Sequence, residues 1–162
     1  MNGVLQIAGA SIATLCCAVT MVSLVVEDLR ERLLPKKLCR VLAICGCAVQ
    51  LFLYGSAGFT WGLVYAIAVI LSCGIASIGF KQATGEDALG GGDVRCMAAL
   101  CLASGEWAPL GFAACFCAAG GWGLYRIATR SSTWKDTFPL GPFLAIWLIT
   151  GLGATFASTL FF

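Results

Sequence analysis

The chain has 162 residues, of which 60% are hydrophobic and 11% charged, with no histidine and a formal net charge of +2. Water-soluble domains carry about 25% charged residues, so that class is excluded, and so weak a net charge leads to no expectation of a nucleic-acid partner. A bilayer-crossing helix needs about 20 mostly apolar residues; the length suits about six crossings and no sizeable soluble domain, so residues 1–162 read as one all-α, polytopic membrane domain.

The first apolar run is Leu5 to Val26. It lacks a basic leading segment and is long for the core of a secretory signal, so a retained span is expected. The next runs are Leu38 to Tyr54 and Phe59 to Phe80, separated by "GSAG". A short run, Cys96 to Ser104, is followed by a turn at Gly105 to Pro109 and by Trp107 to Tyr125; Leu140 to Phe162 closes the chain. The fourth run has only nine clearly apolar residues. It must borrow length from the glycines before it, so the "GGGD" backbone is expected at the membrane edge, irregular and shielded by protein.

All ten lysines and arginines lie in three polar stretches: "EDLRERLLPKKLCR", "KQATGEDALGGGDVR" and "RIATRSSTWKD". Six crossings put all ten on one side, which the positive-inside rule makes the cytoplasm. Both termini then face out. No stretch reads as a repeat or linker. The ten cysteines form no C-x-x-C pair and have no histidine to complete a zinc site. They read as small packing residues, and neither a metal nor a cofactor is expected.

Of the eight acids, Glu27, Glu31, Glu106 and Asp136 read as interfacial charges. Asp28 and Asp93 differ. Each stands at the membrane edge of a span, on the same side, with an arginine two residues later. Ionisable groups at membrane depth default to function. Two carboxylates at one depth can share a proton, one serving as base on a water while the other donates to a substrate carbonyl. The pattern predicts aspartic-protease chemistry.

These residues resemble a family, the type IV prepilin peptidases. "DLRERLLP" is similar to its first aspartate motif, an aspartate with a proline seven positions on, through Asp28 and Pro35. "TGEDALGGGDVRCMAAL" is similar to the second, in which G-x-G-D-x-K leads into a small-residue helix, through Thr84, Gly85, Asp87, Gly90, Gly92 and Asp93. "FPLGPFLA" resembles the closing element through Pro139, Gly141 and Pro142. The resemblance runs from about residue 20 to the C-terminus. It implies a G-x-G-D-type intramembrane aspartyl protease fold of about six helices, with Asp28 and Asp93 catalytic. It further implies an inner-membrane enzyme that removes the basic leader from type IV or Flp-type prepilins, or from pseudopilins, at the cytoplasmic face.

The chain departs from the family pattern at Arg95, where lysine is usual, at Lys36 after Pro35, and at Asp87, which stands for a glutamate. Nothing matches the family's cytoplasmic insertion with two C-x-x-C pairs, so the chain looks like the short form similar to those of Tad-type pili, without methyltransferase activity.

The glycines at Gly90 and Gly92 are expected to permit positive φ and to let an unwound substrate strand approach Asp93. Glu86 and Asp87 are expected to help receive its basic leader. The competing classes are a small transporter, which would place polar groups in mid-span, and a non-enzymatic subunit of a secretion or pilus system, which needs no paired aspartates. A presenilin-like protease would carry its first aspartate inside a span, typically after a tyrosine, whereas Val26 and Glu27 precede Asp28.

Overall fold

The computed structural model describes residues 3–31, 34–85, 90–129 and 139–161, and among these it contains helices and no strand. The elements are α1 (Gly3–Glu31), α2 (Lys36–Thr84), α3 (Gly91–Ser104), a 3-10 turn (Gly105–Trp107), α4 (Ala108–Ala128) and α5 (Gly141–Phe161).

Four apolar stretches are long enough to cross a membrane: Leu5–Glu31, Lys36–Gln82, Gly91–Ala128 and Gly141–Thr159. Two exceed a single crossing, at 47 and 38 residues. At 1.5 Å per residue the longer would extend about 70 Å, more than twice the hydrocarbon thickness. Each is broken at a glycine with positive φ. Gly55 (φ 64°, ψ −143°) interrupts α2, and Gly105 (φ 55°, ψ −126°) separates α3 from the 3-10 turn. Side chains rarely adopt such angles, so glycine allows the chain to turn there without strain.

The two limbs of α2, residues 36–54 and 56–84, fold back on each other against α3. A Cβ at Gly46, in the first limb, would stand 2.8 Å from Ala103, and one at Gly62, in the second, 3.1 Å from Leu102 Cα. Two positions nearly equidistant from Gly55 thus meet the same turn of α3. Among the described residues six helical rods result, in the order expected from the apolar runs.

Helix α3 is the centre. Cys96, Met97, Ala99, Leu100, Cys101, Ala103 and Ser104 are all buried in it. Helices α2, α5 and α4 pack around it, and α1 closes the bundle against α2 and α5. The outside is as oily as the inside: Leu5, Ile12, Leu15 and Val22 on α1 and Ile67, Leu71, Ile75 and Ile78 on α2 are exposed, as lipid-facing surfaces are. Association in lipid rests on close packing and interhelical hydrogen bonds, and both are present. Gly111 of α4 is pressed against Trp147 of α5. At the Gly55 end, buried Gln50 donates from Nε2 to the Ala103 carbonyl at 2.6 Å. Nearby, Tyr54 donates to the Thr155 carbonyl at 3.0 Å and contacts Ser158 Oγ, to which Trp107 Nε1 donates at 3.2 Å.

One expectation is corrected. The "GGGD" backbone is not irregular, and it carries no positive φ. Among the described residues, the glycines with positive φ are Gly55, Gly85 and Gly105. Gly90 is an extended N-cap (φ −65°, ψ 137°), and α3 starts at Gly91, so it borrows length as regular helix. The Asp93 amide donates to the Gly90 carbonyl at 3.0 Å, and an acid in the first turn favours a helix start.

Candidate active site

The end of α1, the start of α2, the start of α3 and the start of α5 meet at the end of the bundle opposite Gly55. Asp28 is carried there by the last turn of α1, and Asp93 by the first turn of α3. Asp28 is only 5% exposed, whereas its neighbours Leu29 and Arg30 face outward. The helical rotation that buries Leu24 also buries Asp28 one turn later. Asp93 is half-buried. The two carboxylates, 65 positions apart in the chain, lie close enough for their charges to interact.

Asp28 is fixed by α5. The Gly141 amide donates to its Oδ2 at 2.7 Å, and this amide is among the first of a helix, where backbone donors lack internal partners and the dipole favours a negative charge. Asp93 lies over its own cap: a Cβ on Gly90 would stand 3.0 Å from its Oδ2. Each carboxylate therefore lies against a glycine at a helix start, and Asp28 accepts that glycine's amide.

Gly92 faces neither aspartate nor open space. A Cβ there would lie 3.1 Å from Leu34 Cβ and 3.3 Å from the Leu34 carbonyl. The missing side chain lets the first turn of α3 seat on the segment between α1 and α2. Glu86 and Asp87 lie outside the described residues. Of the acids read as interfacial, Glu31 and Glu106 are exposed and Glu27 is half-buried, and Asp136 lies outside the described residues.

Two features escaped the sequence reading. Gly141 stood out there only as part of a closing element, with no sign that its amide reaches Asp28. The cysteines read as small packing residues, yet the buried Cys39 of α2 and Cys96 of α3 lie near each other and near Asp93. A free-cysteine pair from separate helices leaves no spacing signature.

Comparison with family models matches residues 15–124 to the type IV leader peptidase family, a stretch that contains both aspartates. Comparisons with curated proteins and with solved structures returned no match. The family match covers more than half of the chain and agrees with its all-helical, apolar architecture: this protein is a multi-pass membrane protein that belongs to the type IV leader peptidase family.

Proposed function

We propose that the chain is an aspartic endopeptidase that removes the leader from prepilin-like precursors, with Asp28 and Asp93 as the catalytic pair. The observation that carries this reading is the meeting of two carboxylates from α1 and α3, one buried and tied to Gly141, at one end of the bundle.

In the reaction, the ionised member of the pair takes a proton from a water. The water oxygen bonds to the scissile carbonyl carbon while the protonated member donates to the carbonyl oxygen. The tetrahedral intermediate then collapses, the C–N bond breaks, and the leaving nitrogen takes a proton from the pair. A helical peptide hides its carbonyls, so the substrate unwinds at the cleavage point beside half-exposed Asp93.

The membrane is the bacterial inner membrane, with the site on its cytoplasmic side. Arg30, Lys36, Lys37, Arg40, Lys81, Arg95 and Arg126 all belong to the bundle end that carries the aspartates, which supports that orientation. Methyl transfer is not part of the proposed activity. The test is the purified protein in liposomes with a synthetic Flp-type prepilin, read by mass spectrometry. Release of an intact basic leader by the wild type, and none by Asp93→Asn, is expected. Equal release by both would overturn the proposal.

A further inference from the structure

A cavity of about 400 Å³ lies between α2 and α3, apart from the aspartate pair. Its wall on α3 is the face of Arg95, Ala98, Ala99 and Leu102, at helical spacings of three and four. Asp93 lies about 200° around the helix from Arg95, at 100° per residue. The cavity has two unlike ends. Lys36, Arg40 and Arg95 form one, and Ala43 and Leu102 the other, with Ile70 of the second limb of α2 along the side. Both α3 and the first limb of α2 run away from the charged end. Seven residues, or about 10 Å of rise, separate Lys36 from Ala43 and Arg95 from Leu102.

The three cations are exposed, and among the described residues no carboxylate pairs with them. They share their end with the start of α2, whose N-cap is Pro35 and offers no side-chain cap; the unpaired amides of that first turn add to the positive field. Ile70, on the second limb of α2, is exposed, so the cavity opens sideways onto the surface where lipid would lie.

A positive head site leading within about 10 Å into an apolar groove matches an amphiphile with an anionic head and an acyl chain. We propose that this cavity is a binding site for one anionic phospholipid. Lys36, Arg40 and Arg95 receive its phosphate head, and one acyl chain lies along Ala43, Ala98 and Leu102. A zwitterionic lipid presents the same phosphate but brings an ammonium group into a field of three cations. The basic leader of a prepilin is repelled by the same field. The site does not depend on the peptidase reading; its occupant would bridge α2 to the helix that carries Asp93.

The experiment is native mass spectrometry of the full chain in detergent, titrated with phosphatidylglycerol or phosphatidylcholine. Thermal unfolding of the lipid-free protein checks that each variant is folded. The wild type is expected to retain one phosphatidylglycerol in preference to phosphatidylcholine. Each cation near a membrane surface contributes about fivefold in affinity for anionic lipid, so the Lys36→Gln/Arg40→Gln double variant should bind about 25-fold more weakly. Lys37→Gln, exposed on the same turn but outside the cavity, should bind as the wild type does. Equal retention of both lipids would overturn the proposal, as would undiminished binding by the double variant or an equal loss in Lys37→Gln. Displacement of the lipid by inorganic phosphate at equal concentration would identify a site for soluble phosphate instead.

Discussion

The backbone amide of Gly141 donates a 2.7 Å hydrogen bond to Oδ2 of Asp28, and a Cβ built on Gly141 would stand 2.8 Å from that same oxygen. The first turn of α5 can carry this amide to the carboxylate only because residue 141 has no side chain. Gly141→Ala should therefore move Asp28 or lose the bond. A misplacement of about 1 Å in a catalytic group costs on the order of a hundredfold in rate. The expected result is a ten- to hundredfold slower cleavage of co-expressed prepilin, with membrane levels near those of the wild type. Cleavage at the normal rate would show that the Gly141 contact does not position the carboxylate.

The aspartate pair makes a prediction about coupling. Neither carboxylate alone can both activate a water and polarise a carbonyl. Asp28→Asn and Asp93→Asn should each slow processing by about three orders of magnitude or more, and the double variant should be no slower than the worse single one. Asn keeps the shape and the acceptor for the Gly141 amide, so insertion should survive. Glu31→Gln and Glu106→Gln, both at exposed positions, should retain most activity. Single-variant losses that multiply in the double variant would mean that the two acids act independently.

How much of this was legible in the sequence follows from the solvent. The crossings could be read because lipid demands long apolar runs, and the runs stop where charges or glycines stand. Both hairpin breaks, Gly55 and Gly105, fall within the connections read between spans. The face that each helix turns inward could not be read, because lipid and core are equally apolar and leave little amphipathic signal. Gly111 and Gly121 illustrate this on a single helix. Gly111 is pressed against Trp147, while a Cβ at Gly121 would meet nothing within 4 Å. Asp28 and Asp93 stood out as charges at a membrane edge. The bond from the Gly141 amide to Asp28 did not, since a backbone amide leaves no mark in sequence.

Gln50 supplies a stability prediction separate from catalysis. It is 1% exposed and donates to the Ala103 carbonyl at 2.6 Å, which ties the first limb of α2 to the end of α3. Hydrogen bonds between helices in membranes average about 0.6 kcal/mol, with a maximum near 1.7. Gln50→Leu also has to fit a branched side chain against Gly58 and Gly105, which pack on the amide of Gln50. A loss of about 1–2 kcal/mol is expected, read as a lower Tm in detergent. Cleavage by the folded fraction should be unchanged, because Gln50 lies at the far end of the bundle from Asp28. A large fall in rate at full membrane level would contradict that separation.

Topology is tested by tags. Reporters fused at either terminus should respond as exterior, and one inserted within residues 81–90 as cytoplasmic. The ground for this is the clustering of basic residues at the aspartate end. A cytoplasmic C-terminus would require an odd number of crossings and would part α5 from the end of the bundle where Gly141 meets Asp28.

Gly92 sits one residue from Asp93, and the reason for its lack of a side chain is Leu34. A Cβ at 3.1 Å from Leu34 Cβ and 3.3 Å from the Leu34 carbonyl forces either that segment or the first turn of α3 to shift. Because Gly92 is helical, a left-handed penalty plays no part, and the cost is overpacking, about 1–3 kcal/mol. A bundle of this size can survive that. The aspartate one residue along is less tolerant, since displacement by about 1 Å costs on the order of a hundredfold in rate. Gly92→Val should therefore lower prepilin cleavage far more than it lowers membrane level. Gly121→Val is the comparison. Its site on α4 is exposed with open space around it, so both quantities should stay near the wild-type values. Partial recovery is expected when Gly92→Val is combined with Leu34→Gly, which removes the Cβ at 3.1 Å while the carbonyl at 3.3 Å remains. If Gly92→Val cleaves normally, the contact with Leu34 does not set the position of Asp93. If it fails only because the protein disappears from the membrane, the contact serves assembly of the bundle and not the site.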